Sequence, residues 1–383
     1  MMNEFFRELF AALMVLAVLG IVAIPMVYVL VWLIKKLWKL MVGFRIFTYS
    51  IGFVVCIVLV WAYWAAIDRQ PRDDETWVMA SAGLMSTYAV RSDNSLWAWG
   101  SNRGGRLGGR AMISRARPLK IMDDVAYVYA TGSSAMVIKT DDSLWQLGSD
   151  GENHKILEDV RATSSSFAIT NDGGLWEWRF GNRRTPTRIM DDVSAISSRS
   201  VHTMVVKNDG SLWELGRSSW HEDGTIDRLG AQTWIMDDVA YVSTGVNHRT
   251  VVLKTDGSLW TWTSTAMGRE FVKIMDDVAA VSAGFGATMA IKTDGSLWAW
   301  GGNWSGHLGV GIRGRDAVIR EPAMVMENVA YVSMGGIGAR GADRAHTVAV
   351  GTDGSLWTWG DNRRGQLGTG TWMPRRTPVR ISG

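Results

Sequence analysis

Paired carboxylates are the first residues in this sequence whose type and spacing suggest chemistry. An acidic pair recurs before valine, as in Asp123-Asp124-Val125 and Asp276-Asp277-Val278. Two neighbouring carboxylates can perform acid/base catalysis or bind calcium. The pair recurs wherever a turn precedes an apolar segment, where Asp bonds its own backbone, and no Asp-x-Asp-x-Asp calcium loop is present. We therefore interpret these acids as turn residues.

Histidine and nucleophile patterns point away from catalysis as well. No pair among the six histidines has metal-ligand spacing, and His202, His248 and His346 occupy similar repeat positions, where a hydrogen-bonded structural role is expected. Cys56, the only cysteine, lies in an apolar run, and neither a Gly-x-Ser-x-Gly elbow nor a phosphate loop occurs. The sequence predicts no catalytic residue, no metal site and no cofactor. An enzyme would need carboxylates assembled from different repeats.

The 21 tryptophans are the most conspicuous candidate contact residues. Most recur at one position of a repeat, which is typical of packing between layers. Trp220, Trp304 and Trp372 lie outside that register, in connecting segments, and are predicted to be exposed binding residues.

Two apolar runs near the N-terminus predict a membrane anchor. Leu9 to Ile34 contains 26 residues without a charge, and Phe47 to Ile67 contains 21. Each is long enough to cross a bilayer as a helix. Lys35-Lys36 follows the first run where a signal peptide would need small residues. We expect residues 1–72 to form a transmembrane hairpin, with helices at about 9–34 and 47–67, and a tether. The basic loop between the helices places both termini outside the cytoplasm by the positive-inside rule.

A repeat begins after Glu75, and its clearest marker is a turn followed by Leu-Trp. The marker tryptophans are Trp97, Trp145, Trp176, Trp213, Trp260, Trp298 and Trp357. Their spacing of about 43 residues is that of four-stranded propeller blades. Asp-Gly between alternating apolar stretches predicts a hairpin with a type I′ turn. Residues 73–383 are therefore predicted to form an all-β, seven-bladed propeller. We expect one blade to combine both chain ends, because the repeat stops at Gly383 where Asp-Asp-Val should follow and resumes at Asp73.

The segment from Trp357 to Gly368, Trp-Thr-Trp-Gly-Asp-Asn-Arg-Arg-Gly-Gln-Leu-Gly, resembles the repeat of the regulator of chromosome condensation family, and its bacterial branch in particular. Residues 100–108 and 301–309 echo it, whereas copies two to five have lost it. The resemblance spans residues 73–383 and implies the propeller fold. The family includes a nucleotide exchange factor for a small GTPase, a secreted β-lactamase inhibitor and scaffolds, so the resemblance does not select one function.

Charge is unevenly distributed over the connectors that follow the second strand tryptophan. Beyond residue 72 the chain has 33 Lys/Arg against 34 Asp/Glu, which disfavours general nucleic-acid binding. Residues 100–120, 301–324 and 360–380 nevertheless carry +6, +1 and +4, and ring closure makes them neighbours. The candidate binding residues here are Arg103, Arg106, Arg363, Arg364, Arg375 and Arg376.

These arginines allow two interpretations. They bind an anionic protein face or cell-surface polymer by forked hydrogen bonds, or they rest on anionic headgroups, because the tether from Ile67 to Glu75 is short. The favoured function is a non-enzymatic interaction scaffold, held in the cytoplasmic membrane with its propeller outside the cytoplasm. The alternatives are an enzyme that degrades envelope polymers and, for a cytoplasmic propeller, a regulator resembling the exchange factor.

Overall fold

A computed structural model of the chain divides into two units, Met1–Pro71 and Arg72–Gly383. The structure describes residues 76–381 apart from 104–106, 108–112, 131–134, 149–151, 179–184, 200–201, 217–218, 221–225, 228–231, 246–249, 266–267, 285, 313, 315–316 and 338–343. Within these residues no helix is long and apolar enough to cross a membrane. The predicted spans 9–34 and 47–67 lie outside them.

The described chain forms thirty β-strands. The first fifteen are β1 (Trp77–Ala82), β2 (Ser86–Arg91), β3 (Leu96–Gly100), β4 (Arg115–Met122), β5 (Val125–Ala130), β6 (Ala135–Lys139), β7 (Leu144–Leu147), β8 (Asn153–Leu157), β9 (Val160–Ser164), β10 (Phe167–Thr170), β11 (Leu175–Glu177), β12 (Thr187–Met190), β13 (Val193–Arg199), β14 (His202–Lys207) and β15 (Leu212–Leu215). The others are β16 (Ser219–Trp220), β17 (Ile226–Asp227), β18 (Gln232–Met236), β19 (Val239–Thr244), β20 (Thr250–Lys254), β21 (Leu259–Thr265), β22 (Gly268–Met275), β23 (Val278–Ala283), β24 (Ala287–Lys292), β25 (Leu297–Gly302), β26 (Val318–Met326), β27 (Val329–Ile337), β28 (Arg344–Gly351), β29 (Leu356–Gly360) and β30 (Arg375–Arg380).

The strands form seven antiparallel sheets of four strands each, which confirms the seven-bladed propeller. Each sheet takes its strands in chain order, from β1-β2-β3-β4 in blade 1 to β27-β28-β29-β30 in blade 7. The small sheet β16-β17 is an insertion in the connector of blade 4. Every blade is thus one continuous segment of sequence.

Alternation along the third strand explains how the blades pack. In β25, Leu297 and Ala299 are fully buried in the cluster shared with blade 7, whereas Trp300, on the opposite side of the strand, packs against the cluster shared with blade 5. Successive residues of a strand point to opposite faces, so apolar residues on both faces place each sheet between two neighbours. Seven such clusters, one at each blade interface, form the core.

The hairpins differ from the predicted type I′ turn. In blade 1 the amide of Asn94 bonds the carbonyl of Arg91, and that of Arg91 bonds the carbonyl of Ser95. Asn94 has a φ of 61°, while Asp93 has no positive φ. A three-residue loop whose last residue alone is left-handed is a type I turn with a G1 bulge, whereas type I′ needs positive φ twice.

The marker tryptophans are tied to these hairpins by a repeated hydrogen-bond relay. In blade 6, Trp298 Nε1 donates to Ser296 Oγ at 2.9 Å, and Ser296 Oγ donates to Asp294 Oδ1 at 2.6 Å. The same relay occurs in five other blades, and blade 3 replaces the serine with Thr170. Each marker tryptophan is therefore half-buried at a blade edge and fixes the turn as well as packing between sheets.

Ring closure does not combine the two chain ends in one blade, so that prediction was wrong. Trp77 pairs with Arg91 inside blade 1, and β30 pairs with β29 inside blade 7. The two blades meet face to face instead, and the amide of Trp77 donates to the carbonyl of Gly354 at 3.0 Å. The amide of Val125 makes the equivalent bond to Asn94, and all other blade interfaces repeat it. In sequence order, each blade begins with its innermost strand. The closing interface therefore has the same structure as the other six.

Candidate functional site

The propeller has two chemically distinct faces. The hairpin face carries the Asp-Gly hairpins and the Asp-Asp turns between blades. The connector face carries the segments that join the third and fourth strands. All seven lysines beyond residue 75 lie next to a hairpin or an Asp-Asp turn, namely Lys120, Lys139, Lys155, Lys207, Lys254, Lys273 and Lys292. Five of them pair with a carboxylate, and Lys139 and Lys207 lie over Trp145 and Trp213. All seven lysines are therefore engaged in contacts within the propeller.

Three connectors that keep the full repeat signature share one internal hydrogen bond. In blade 1 the amide of Leu107 donates to Asn102 Oδ1 at 2.9 Å. The pairs Leu308 with Asn303 and Leu367 with Asn362 repeat this bond at the same distance. All three leucines and all three asparagines are buried. A buried amide that is fully bonded holds a loop in one conformation. Asn303 and Asn362 also donate to carbonyl groups of their own connectors, so the described parts of the connectors of blades 6 and 7 are rigid.

The connectors of blades 6 and 7 are also fastened to the next blade. Trp359 Nε1 donates to the carbonyl of His307 at 2.8 Å, and Trp99 Nε1 donates to that of Gln366 at 2.9 Å. Further out, the amide of Gly311 bonds the carbonyl of Arg376, and the amide of Gly370 bonds that of Ala116. We call the resulting continuous surface, residues 303–312, 361–376 and 113–117, the connector ledge.

Arginine supplies all of the cationic charge on the described part of the connector ledge. Arg115, Arg117, Arg363, Arg364, Arg375 and Arg376 are all exposed. Only Arg363 has a described carboxylate within ion-pair distance, at 3.4 Å from Asp361. By contrast Arg269, on the connector side of blade 5, pairs with Glu214. Apart from Arg363, the ledge arginines therefore present forked donors that no described carboxylate neutralises.

Large apolar side chains are exposed among these arginines. Trp372 is 49% exposed, Met373 is 69% exposed, and Ile113 and Ile312 are 70% and 50% exposed. Trp372 and Met373 follow Gly370, which bonds β4, and precede Arg375. Sequence reasoning selected Trp372 alone, because an isolated Met or Ile in a connector carries no signal until neighbouring connectors are brought together.

The predicted site residues are only partly brought together. Arg363, Arg364, Arg375, Arg376 and Trp372 share the ledge, and Arg103 is exposed on the next connector. Arg106 lies outside the described residues. Trp304 is half-buried rather than free, because its ring covers Gly286 and Gly302. The backbone of Trp220 lies in β16, on blade 4 and away from the ledge, and its side chain is outside the description.

A histidine pair is buried beneath the ledge. His346 Nε2 lies 2.8 Å from Thr87 Oγ1, and His307 Nδ1 lies 3.2 Å from Ser305 Oγ. The other ring nitrogen of each has no hydrogen-bond partner in the described structure. Burial lowers the pKa of His307 to about 4, and burial together with His307 lowers the pKa of His346 to about 3. Both rings are neutral at pH 7, and the expected structural role of His346 agrees with its bond to Thr87.

The ring encloses a channel of about 950 Å³ lined by the inner strands of all seven blades. Tyr127, Tyr129, Tyr241 and Tyr331 project from these strands. Burial raises the pKa of Tyr127, Tyr241 and Tyr331. These three phenols are therefore neutral at pH 7 and unsuited to act as bases or nucleophiles. Among the described residues no group of three His, Cys, Asp or Glu side chains is placed to hold a metal ion.

Comparison with known proteins identifies the repeat. Residues 353–383 and 278–306 each match a model of the regulator of chromosome condensation (RCC1) repeat. The chain is 24% identical over 367 residues to the human E3 ubiquitin-protein ligase HERC2, covering 80% of this chain but 6% of HERC2. It is 25% identical over 349 residues to the mitochondrial RCC1 domain-containing protein RUG3 of Arabidopsis thaliana, covering 79% of this chain and 69% of RUG3.

Among solved structures, the chain is matched to yeast RCC1 (Prp20) bound to Kap60. It is 17% identical, with a TM-score of 0.47 over 82% of this chain and 76% of that one.

Proposed function

We propose that this chain, which belongs to the regulator of chromosome condensation repeat family, is a non-enzymatic scaffold whose propeller binds a macromolecular partner through the connector ledge. The ledge itself carries this proposal. It combines fixed loops, arginines of which all but Arg363 lack a described carboxylate partner, and exposed apolar side chains. Trp, Met and Arg are enriched at protein interfaces, whereas Lys is depleted there.

The described chain enters the propeller on the face opposite the connector ledge. Thr76 contacts Gly354 and Ser92, so the described chain begins at the hairpin face. Blade strands of about six residues rise roughly 20 Å from that face to the connector face. The connector ledge therefore lies about one blade height away from the point where the described chain begins.

Localisation forms part of the proposal. The two apolar runs and the basic loop between them support an integral protein of the cytoplasmic membrane with its propeller outside the cytoplasm. Reporter fusions at Gly383 test this orientation. A reporter active only outside the cytoplasm is expected, and activity of a cytoplasm-dependent reporter alone would contradict it and favour a cytoplasmic regulator.

In-cell crosslinking tests the scaffold proposal. A photo-crosslinking residue at Arg364 is expected to capture a discrete macromolecule, and the same residue at Lys139, on the hairpin face, is not. Charge reversal of Arg103, Arg363 and Arg364 together is expected to reduce capture and its sensitivity to salt while the fold persists. Undiminished capture at low ionic strength by this variant would exclude the ledge as the binding surface.

A further inference from the structure

The proposed scaffold function does not specify the chemical class of the partner. The side chains of the connector ledge limit which class can bind there. A purely electrostatic surface needs only charge, and lysine serves that purpose as well as arginine. In this propeller the lysines beyond residue 75 lie at the hairpin face, whereas the described cations of the ledge are all arginines. Guanidinium groups form paired hydrogen bonds to planar carboxylates that ammonium groups cannot match.

The apolar side chains supply the second constraint. Trp372 and Met373 lie between the Gly370–Ala116 bond to blade 1 and Arg375 of blade 7. Their exposed fractions, 49% and 69%, mean that an occupant would remove a large apolar area from water. Interface energy concentrates at such aromatic and arginine anchors. A polyphosphate or an acidic glycan offers charge but no apolar group to cover them.

The third observation is that the connector ledge is rigid. The ledge is held by buried asparagine and tryptophan hydrogen bonds, so its donors and apolar side chains keep fixed positions before binding. A preformed surface lowers the entropic cost of association, which suits a short extended ligand that must itself become ordered.

We propose that the connector ledge binds an acidic protein segment that bears a large apolar side chain, with the apolar group on Trp372 and Met373 and carboxylates on Arg117, Arg375 and Arg376. This inference rests on the proposed function and names its partner class.

Selection from a displayed library of random dodecapeptides on the full-length chain tests the proposal. Enriched peptides are expected to combine several Asp or Glu residues with at least one Trp, Phe or Leu. The leading peptide should bind the double variant Trp372→Ala and Met373→Ala about ten-fold more weakly or worse, as expected for interface anchors. Arg375→Glu with Arg376→Glu should cause a comparable loss.

Trp234→Ala is the matched control, because Trp234 is similarly exposed, at 52%, on the outer strand of blade 4. It should leave binding unchanged. Enrichment of peptides that lack acids or lack apolar residues, or no enrichment, would overturn the inference. If charge reversal abolishes peptide binding but the Trp372 and Met373 substitutions do not, this inference fails and the proposed function stands. If neither set affects peptide binding or in-cell capture, both fail.

Discussion

At the scale of single residues, the buried pair His307 and His346 links the fold to pH. The pKa values of about 4 and about 3 lie below the ordinary value of 6.5. Between pH 6.5 and these values the unfolded chain binds more protons than the folded chain. The stability contributed by the neutral rings is therefore present above pH 6.5 and is lost as pH falls through this window.

We expect the free energy of unfolding to decrease between pH 7.5 and pH 5, since each unit of pKa shift corresponds to about 1.4 kcal/mol once the window is fully crossed. The double substitution His307→Gln and His346→Gln should flatten this dependence, as measured by chemical denaturation at several pH values. His154→Gln, on β8, is the control and should keep the original slope. A double variant with an unchanged slope would show that other groups carry the pH dependence.

Some of these residues are predictable from the sequence and others are not, for a physical reason. The acids before valine were interpreted correctly as turn residues, and Asp124, Asp192 and Asp277 adopt positive φ there. His346 was placed only in a general structural role. Its contact with Thr87 joins residues 259 positions apart, and no local pattern encodes such a contact.

At the scale of elements, the hairpins show how one turn accepts different residues. The last loop residue has a φ of 61° at Asn94 and 81° at Gly295. Glycine adopts this conformation without a Cβ penalty, whereas asparagine tolerates it at some cost. The Asp-Gly signal predicted the hairpins of blades 3 to 7, and blades 1 and 2 have Asp93-Asn94 and Asp141-Asp142 at the same point. It did not specify the loop length, because both turn types place a residue of positive φ there.

Asn94→Gly should therefore stabilise the propeller by roughly 0.5 kcal/mol, and Gly295→Ala should destabilise it by about 1 kcal/mol. Chemical denaturation of the two variants measures both changes. The substitutions are mutual controls, because they occupy the same repeat position in different blades. Changes of the same sign in both variants would mean that backbone conformation does not determine the preference.

The strand β30 is the outer strand of blade 7, whereas the sequence predicted that the C-terminal segment would share a blade with the N-terminal strand. Deletion of residues 377–383 removes most of the outer strand of blade 7 and the buried Ile381, whose amide bonds the carbonyl of Leu356. It leaves the contact between Trp77 and Gly354 in place. We expect a loss of several kcal/mol, typical of large core losses, measured by thermal unfolding. Unchanged unfolding would mean that β30 contributes little to blade 7.

At the scale of the whole molecule, the closing interface brings the backbones of blade 7 and blade 1 close together at Gly335. A Cβ at Gly335 would lie 2.1 Å from the carbonyl oxygen of Gly83 and 2.3 Å from that of Ala82. Backbone atoms on both sides cannot yield without separating blade 7 from blade 1.

Gly335→Ala should destabilise the ring by more than about 3 kcal/mol, in the range of severe overpacking. Gly174→Ala is a matched control, because the nearest atom there, at 2.7 Å, is the guanidinium carbon of Arg188, the end of a flexible side chain. Denaturant unfolding should show a small effect at Gly174. Equal effects at the two positions would contradict the tight closing interface.

The seven-bladed ring was predictable because a repeat fixes blade number, strand content and order at once. Closure was mispredicted because Asp73 to Gly83 and the C-terminal segment look like two parts of one repeat, and sequence periodicity cannot say where a blade begins. The interface from Trp77 to Gly354 settles that phase. The net positive charge of the ledge was predictable from the sequence. Its apolar surface was not, since the exposed apolar residues come from separate connectors.

Because the lysines lie at the hairpin face and the ledge carries arginines, amine reagents and guanidine reagents modify different parts of the propeller. Within residues 76–381, reagents that acylate primary amines can react only where the lysines lie, beside the hairpins and Asp-Asp turns, while dicarbonyl reagents that condense with guanidines reach the ledge. Coupling the propeller to a sensor chip through those amines would leave the ledge facing the solution. A biotin label placed by amine chemistry would likewise report the orientation of one face without masking the other.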